Sequence, residues 1–200
     1  MAEPPIDVDG AWKSALETYF EAFVAFFLPH VHADIDWTQP PMFLDNELRQ
    51  LVSDAELGLR RVDKLVQVWR KEGGEAWVLV HIEVQSQYDT DLTRRMDVYY
   101  HRIAGRYDRD VFSVVVLGDK SPNWRPGAYQ RSLWECVATL RYPVLKLNDW
   151  RARWAELEAS DNPFSLVVMA HLKTQDTQGR LEERGRWKLA FWRQLRRFGL

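Results

Sequence analysis

Leu59-Arg60-Arg61-Val62-Asp63-Lys64-Leu65-Val66-Gln67-Val68, a Gly73-Gly74 pair, and Trp77-Val78-Leu79-Val80-His81-Ile82-Glu83-Val84-Gln85 form the stretch whose reading decides the fold. In both runs β-branched residues alternate with polar ones, and the paired glycines supply the positive φ of a tight reversal, so the stretch reads as a β-hairpin. Side chains of a strand alternate between faces. Val78, Val80, Ile82 and Val84 therefore share one face and His81, Glu83 and Gln85 the other, while Asp63 lies opposite Val62, Val66 and Val68. If the valine faces share one core, the carboxylates of Asp63 and Glu83 converge on the far side of the sheet. Two converging carboxylates suit Mg²⁺, which takes one or two from a protein and fills its other positions with water and substrate phosphate. The chemistry indicated is metal-assisted hydrolysis of a phosphodiester.

The order Asp63, hairpin, Glu83-Val84-Gln85 resembles the PD-(D/E)XK nuclease signature, in the variant with glutamine at the usual lysine position. The flanking strings are similar to those of the Rpn-like family of recombination-promoting nucleases and transposase-like proteins. They include Trp12-Lys13, Ile35-Asp36-Trp37, Phe43-Leu44-Asp45-Asn46-Glu47-Leu48, Arg95-Met96, Leu117-Gly118-Asp119, Trp124-Arg125-Pro126 and Asn162-Pro163-Phe164, so the likeness spans nearly the whole chain. The resemblance implies an α/β restriction-endonuclease-like core and metal-dependent DNA cleavage linked to recombination or transposition. It also implies that Asp63, Glu83 and the Val84 carbonyl bind Mg²⁺ or Mn²⁺, with Gln85 as the third catalytic position. Glutamine can orient a water by hydrogen bonds but brings no charge. Lys64 belongs to the face opposite Asp63, which leaves Arg95 as the candidate for the missing cation. Family members often continue past this point, so the resemblance also implies a short member or a piece of a longer one.

Downstream, Ser86 to Thr90 offers N-cap residues for a helix from Asp91 to about Tyr107, with Leu92, Met96, Tyr99 and Ile103 on one stripe. Arg95, Arg102 and Arg106 lie one step round that helix. They either grip a phosphate backbone or form a solvated face paired with Asp97, Asp108 and Asp110. Arg95 and Arg102 are the candidate nucleic-acid contacts. Asp110 to Gly118 is an almost unbroken apolar run, as for a strand buried on both faces. Strand, helix and strand make a βαβ unit with a right-handed crossover, so the sheet is mixed. Ser121 to Gly127 reads as a loop and Tyr142 to Leu147 as an edge strand.

Nearer the start, residues 11–28 carry a wide apolar stripe of Trp12, Leu16, Phe20, Phe23 and Phe27, the mark of a core helix. Glu17 and Glu21 on it are either further metal ligands or a solvated acidic face. His30-Val31-His32 with Asp34 and Asp36 is a second metal candidate, set against a polar loop that ends the helix. Helices are expected over 151–159, over 164–174 after Asn162-Pro163, and over 184–198; His171 reads as a packing residue. We expect one domain, with a core of about 11–120 and a mostly helical part of about 121–200.

At 200 residues the chain can bury a sizeable core. The formal charge is −2, but residues 1–57 hold 11 acids and 2 bases while 179–200 hold 2 acids and 7 bases. That balance argues against coating nucleic acid by bulk charge, though not against a local basic cleft. One cysteine permits no internal disulfide and no cysteine-based metal site. The acidic Met1 to Pro5 lacks the layout of a secretion signal, and no apolar run spans a bilayer, so a cytoplasmic, membrane-free protein is expected. Most of the ten tryptophans fall at core-like positions rather than forming a stacking platform. Three readings stay open: a DNA endonuclease, for which a homodimer would suit double-strand cutting; a nuclease-fold protein that binds nucleic acid without cutting; and a non-enzymatic domain whose Asp63, Glu83 and Gln85 are the wet face of a hairpin.

Overall fold

The hairpin forms where the alternation places it, and the rest of the sheet grows from it. The computed structural model describes residues 8–51, 62–73, 75–83, 89–177 and Arg180, without the side chains of residues 8, 9, 47, 62, 63, 75, 76 and 78–83. The elements begin with α1 (Val8–Phe27), α2 (Pro29–Asp34), β1 (Met42–Phe43), α3 (Asp45–Leu51), β2 (Val62–Trp69) and β3 (Glu75–Glu83). They continue with α4 (Leu92–Tyr107), β4 (Val111–Leu117), β5 (Ala128–Leu133), β6 (Cys136–Arg141), β7 (Val144–Lys146), a 3₁₀ turn (Leu147–Arg151), α5 (Trp154–Ala159) and α6 (Pro163–Asp176). The class is α/β. Among the described residues no helix is long and apolar enough to cross a membrane.

These elements form two compact units, one of residues 33–146 and the other of the described residues before 33 and after 146. β5 to β7 belong with the sheet unit, and α1 belongs with the C-terminal helices. A helix with an apolar stripe joins whichever face complements it, which sequence distance does not reveal.

In the sheet unit, five strands run in the order β1-β2-β3-β4-β7. β2 is antiparallel to β1 and β3, whereas β4 is parallel to both β3 and β7. The β2–β3 reversal turns through Gly73 at φ 100°, a value that glycine adopts without a Cβ penalty. Register sorts the side chains into two sets. Leu65, Trp77, Val115 and Leu117 form one buried cluster with Leu92, Met96, Tyr99 and Ile103 of α4, the stripe predicted from the sequence. Each such side chain contributes roughly 1.5–3 kcal/mol by leaving water. Lys64, Val66, Val68, Val114 and Val116 are buried on the other face. Both faces are thus covered, as parallel strands require.

In the helical unit, Trp12, Phe23 and Phe27 of α1 pack on Phe164 of α6, with ring centroids 5.2–6.2 Å apart. Asn162 caps α6 by accepting from the Phe164 amide at 2.8 Å and donates to the Ala22 carbonyl at 2.9 Å. His171 accepts from the Trp12 indole at 3.4 Å and meets Gln175 at 3.0 Å, as a packing histidine should. The helix expected over 184–198 lies outside the described residues.

Candidate active site

β2 begins, and β3, β4 and β7 end, at one edge of the sheet, and the proposed ligands fall there. Asp63 pairs with His81, so Glu83 lies two positions on, on the same face and diagonal to Asp63. Diagonal neighbours in an antiparallel pair are about 7–8 Å apart at Cα, within bridging reach of a shared cation. Glu83 pairs in turn with Leu117, and Leu117 with Lys146, which completes a row across three strands. In open α/β sheets the carboxyl ends of parallel strands are where ligands bind. Val84 and Gln85 lie outside the described residues, and the side chains of Asp63 and Glu83 are likewise not described.

One expectation changes. The carboxylate face is not the wet side of an amphipathic hairpin, because Leu65 and Trp77 share it and are 0% and 6% exposed beneath α4. Asp63 and Glu83 instead mark the polar end of a packed face. Lys64 does lie on the opposite face, where its ammonium bonds to Asp45 and rests 5.5 Å from the centre of the Phe43 ring.

Around this edge the structure adds groups that the sequence reading did not single out. Lys146 is fully buried and bonds to Asp119 and to the Trp124 carbonyl. Asp119 also accepts from the Ser121 amide at 2.8 Å. A lysine inside the apolar run Val144 to Leu147 is the signal that could have been read, since a charge in such a strand needs a buried partner. Tyr142 is buried, and desolvation holds its phenol proton well above the ordinary range, partly offset by the nearby Arg95 charge.

Arg95 stands in the first turn of α4 and donates to Asp89 at 2.8 Å, with side chains 12% and 19% exposed. It is therefore held inside this edge rather than displayed on a solvated helix face, and Asp97 pairs with His101 instead, at 3.2 Å. Arg102 donates to the Leu51 carbonyl at 2.9 Å, a bond that ties α4 to the end of α3.

The second metal candidate does not assemble. His30 and His32 lie in α2, a helix and not the expected polar loop, and two residues of helix turn side chains to different sides. His32 meets Glu21 at 3.3 Å, and Glu17 is exposed. Among the described residues no group of three or more His, Cys, Asp or Glu could hold a metal ion. Comparison with family models, with curated proteins and with solved structures returned no match.

Proposed function

We propose that the chain is a metal-dependent DNA endonuclease built on a restriction-endonuclease-like sheet. The observation that carries this reading is the register that puts Asp63 and Glu83 on one face at the edge where β3, β4 and β7 end. Two carboxylates there fit a hard divalent cation in donor type and number. Asp63, Glu83 and the Val84 carbonyl would hold it. Bound Mg²⁺ or Mn²⁺ would supply an acidified water and offset charge on the phosphoryl oxygens.

The chain's own groups do the rest. Gln85 orients water through its amide but cannot neutralise charge. Arg95, largely withdrawn from solvent beside Asp89, stands in the first turn of α4, the helix that follows β3 in the chain. To serve the developing phosphoryl charge in place of the absent lysine, its guanidinium would share or exchange the Asp89 carboxylate for a phosphoryl oxygen, an interaction that low dielectric strengthens. The glutamine also favours a second reading, a protein of this fold that binds nucleic acid without cutting.

The test is cleavage of supercoiled plasmid by the purified protein in Mg²⁺ or Mn²⁺. Nicking that EDTA stops is the expected result; none under either metal would reject the endonuclease and leave the binding protein. Arg95→Ala should slow nicking by ~100-fold, the size of a lost charge-stabilising donor. Normal cleavage by that variant, folded by circular dichroism, would restrict Arg95 to structure.

A further inference from the structure

Three of the four large apolar side chains that stand exposed among the described residues share one place: Leu133 (65%), Trp134 (87%) and Val137 (59%), at the closed end of the β5–β6 ribbon. Trp134 also has φ 51°. That left-handed value in a two-residue hairpin turn is the province of glycine or asparagine, and a bulky residue there is an outlier. Strain and apolar exposure coincide in one side chain, the combination expected where a surface is kept for a partner.

The rest of the ribbon indicates which partner. By register Arg131 pairs with Ala138 and Arg141 with Ala128, which sets the two arginines on opposite faces. Both are exposed, as are Gln130 and Thr139 between them, and Glu135 is the one acid from 128 to 141. Strands of six residues are about 20 Å long. The major groove of B-DNA, about 12 Å wide, admits a two-stranded ribbon of this kind.

We infer that the β5–β6 ribbon is a docking arm for duplex DNA. It lies in the major groove, with Arg131 and Arg141 each toward one phosphate backbone and Leu133 and Trp134 against the bases. The inference rests on the nuclease reading and supplies a substrate-holding surface, which the buried Arg95 and the engaged Arg102 do not. Charge favours DNA over a second copy as occupant: the ribbon carries two arginines against one acid, and duplex DNA, with one phosphate charge per ~1.7 Å of axis, attracts them far more strongly than a chain whose net charge is only −2.

The chain's single cysteine, Cys136, is exposed beside the tip, so a photo-crosslinker placed there reports contact without a further mutation. In EDTA it should crosslink to a mixed-sequence duplex. Trp134→Gly, which suits the positive φ and removes the apolar contact with base edges in the groove, should weaken binding to that duplex ~10-fold. The double variant R131A/R141A should lower the salt slope of binding by about 2. Unchanged binding in both variants, or crosslinks to a second copy of the chain in place of DNA, overturns the arm. Plasmid cleavage is scored separately. Metal-dependent nicking with arm-independent binding sinks the arm alone, and arm-dependent binding without nicking sinks the nuclease reading alone.

Discussion

Lys146 and Tyr142 show what it takes to place polar groups inside an apolar edge. The Lys146 ammonium is fully buried, and Asp119 and the Trp124 carbonyl satisfy it. Removing one member leaves the other charged and desolvated, so Lys146→Met should cost about 3–5 kcal/mol in urea unfolding. A loss under 1 kcal/mol would mean that Asp119 finds water or a proton at little cost. Tyr142 behaves differently, because its hydroxyl has no hydrogen-bond partner among the described residues. Tyr142→Phe should therefore change stability at pH 7 by less than about 1 kcal/mol. Above its ordinary value of 10.0 the comparison reverses. The folded-state pKa is raised, so the unfolded chain ionises first; the stabilising contribution is complete below pH 10 and declines as pH rises past it. The Phe variant should lose that alkaline decline, and parallel pH profiles for the two proteins would remove burial as its cause.

At the scale of elements, legibility followed pattern contrast. The β2–β3 hairpin, the α4 stripe of Leu92, Met96, Tyr99 and Ile103, and the apolar run of β4 each carry a period or a run that one kind of element explains. The β5–β6 ribbon carries neither. Most of its residues are exposed on both faces, which removes alternation, and Trp134-Glu135 occupies a turn where glycine or asparagine would have announced it. α2 reads as a loop in sequence because six residues hold too little periodicity, although Pro29 at its first position is a helix-start signal. α6 was foreseen from Asn162-Pro163, and its cap gives an element-scale expectation. Asn162→Ala, which loses the bond to the Phe164 amide and the bond to the Ala22 carbonyl, should cost about 1–2 kcal/mol. Asn162→Asp keeps the capping acceptor and should cost less; equal losses would assign the effect to the Ala22 contact.

Over the whole molecule, the pair Asp63 and Glu83 was visible in sequence because strand alternation fixes faces once the hairpin is recognised. What surrounds the pair was not visible. Arg95 with Asp89, and Lys146 with Asp119, meet across 6 and 27 residues through the packing of α4 and β7, and no local pattern encodes those partners. Alternation puts Leu65 and Trp77 on the carboxylate face, but the hairpin alone could not show that this face is buried, since that follows from covering both sides of a sheet with parallel strands. A nuclease of this kind must hold a divalent ion at that edge. Mn²⁺ titration followed by electron paramagnetic resonance measures this directly and needs no catalytic turnover. The wild-type chain should take up Mn²⁺ at one or two sites, and Asp63→Ala and Glu83→Ala, each folded, should lose that uptake. Wild-type protein that leaves Mn²⁺ free, or variants that bind it unchanged, would contradict the metal site and make the two carboxylates structural.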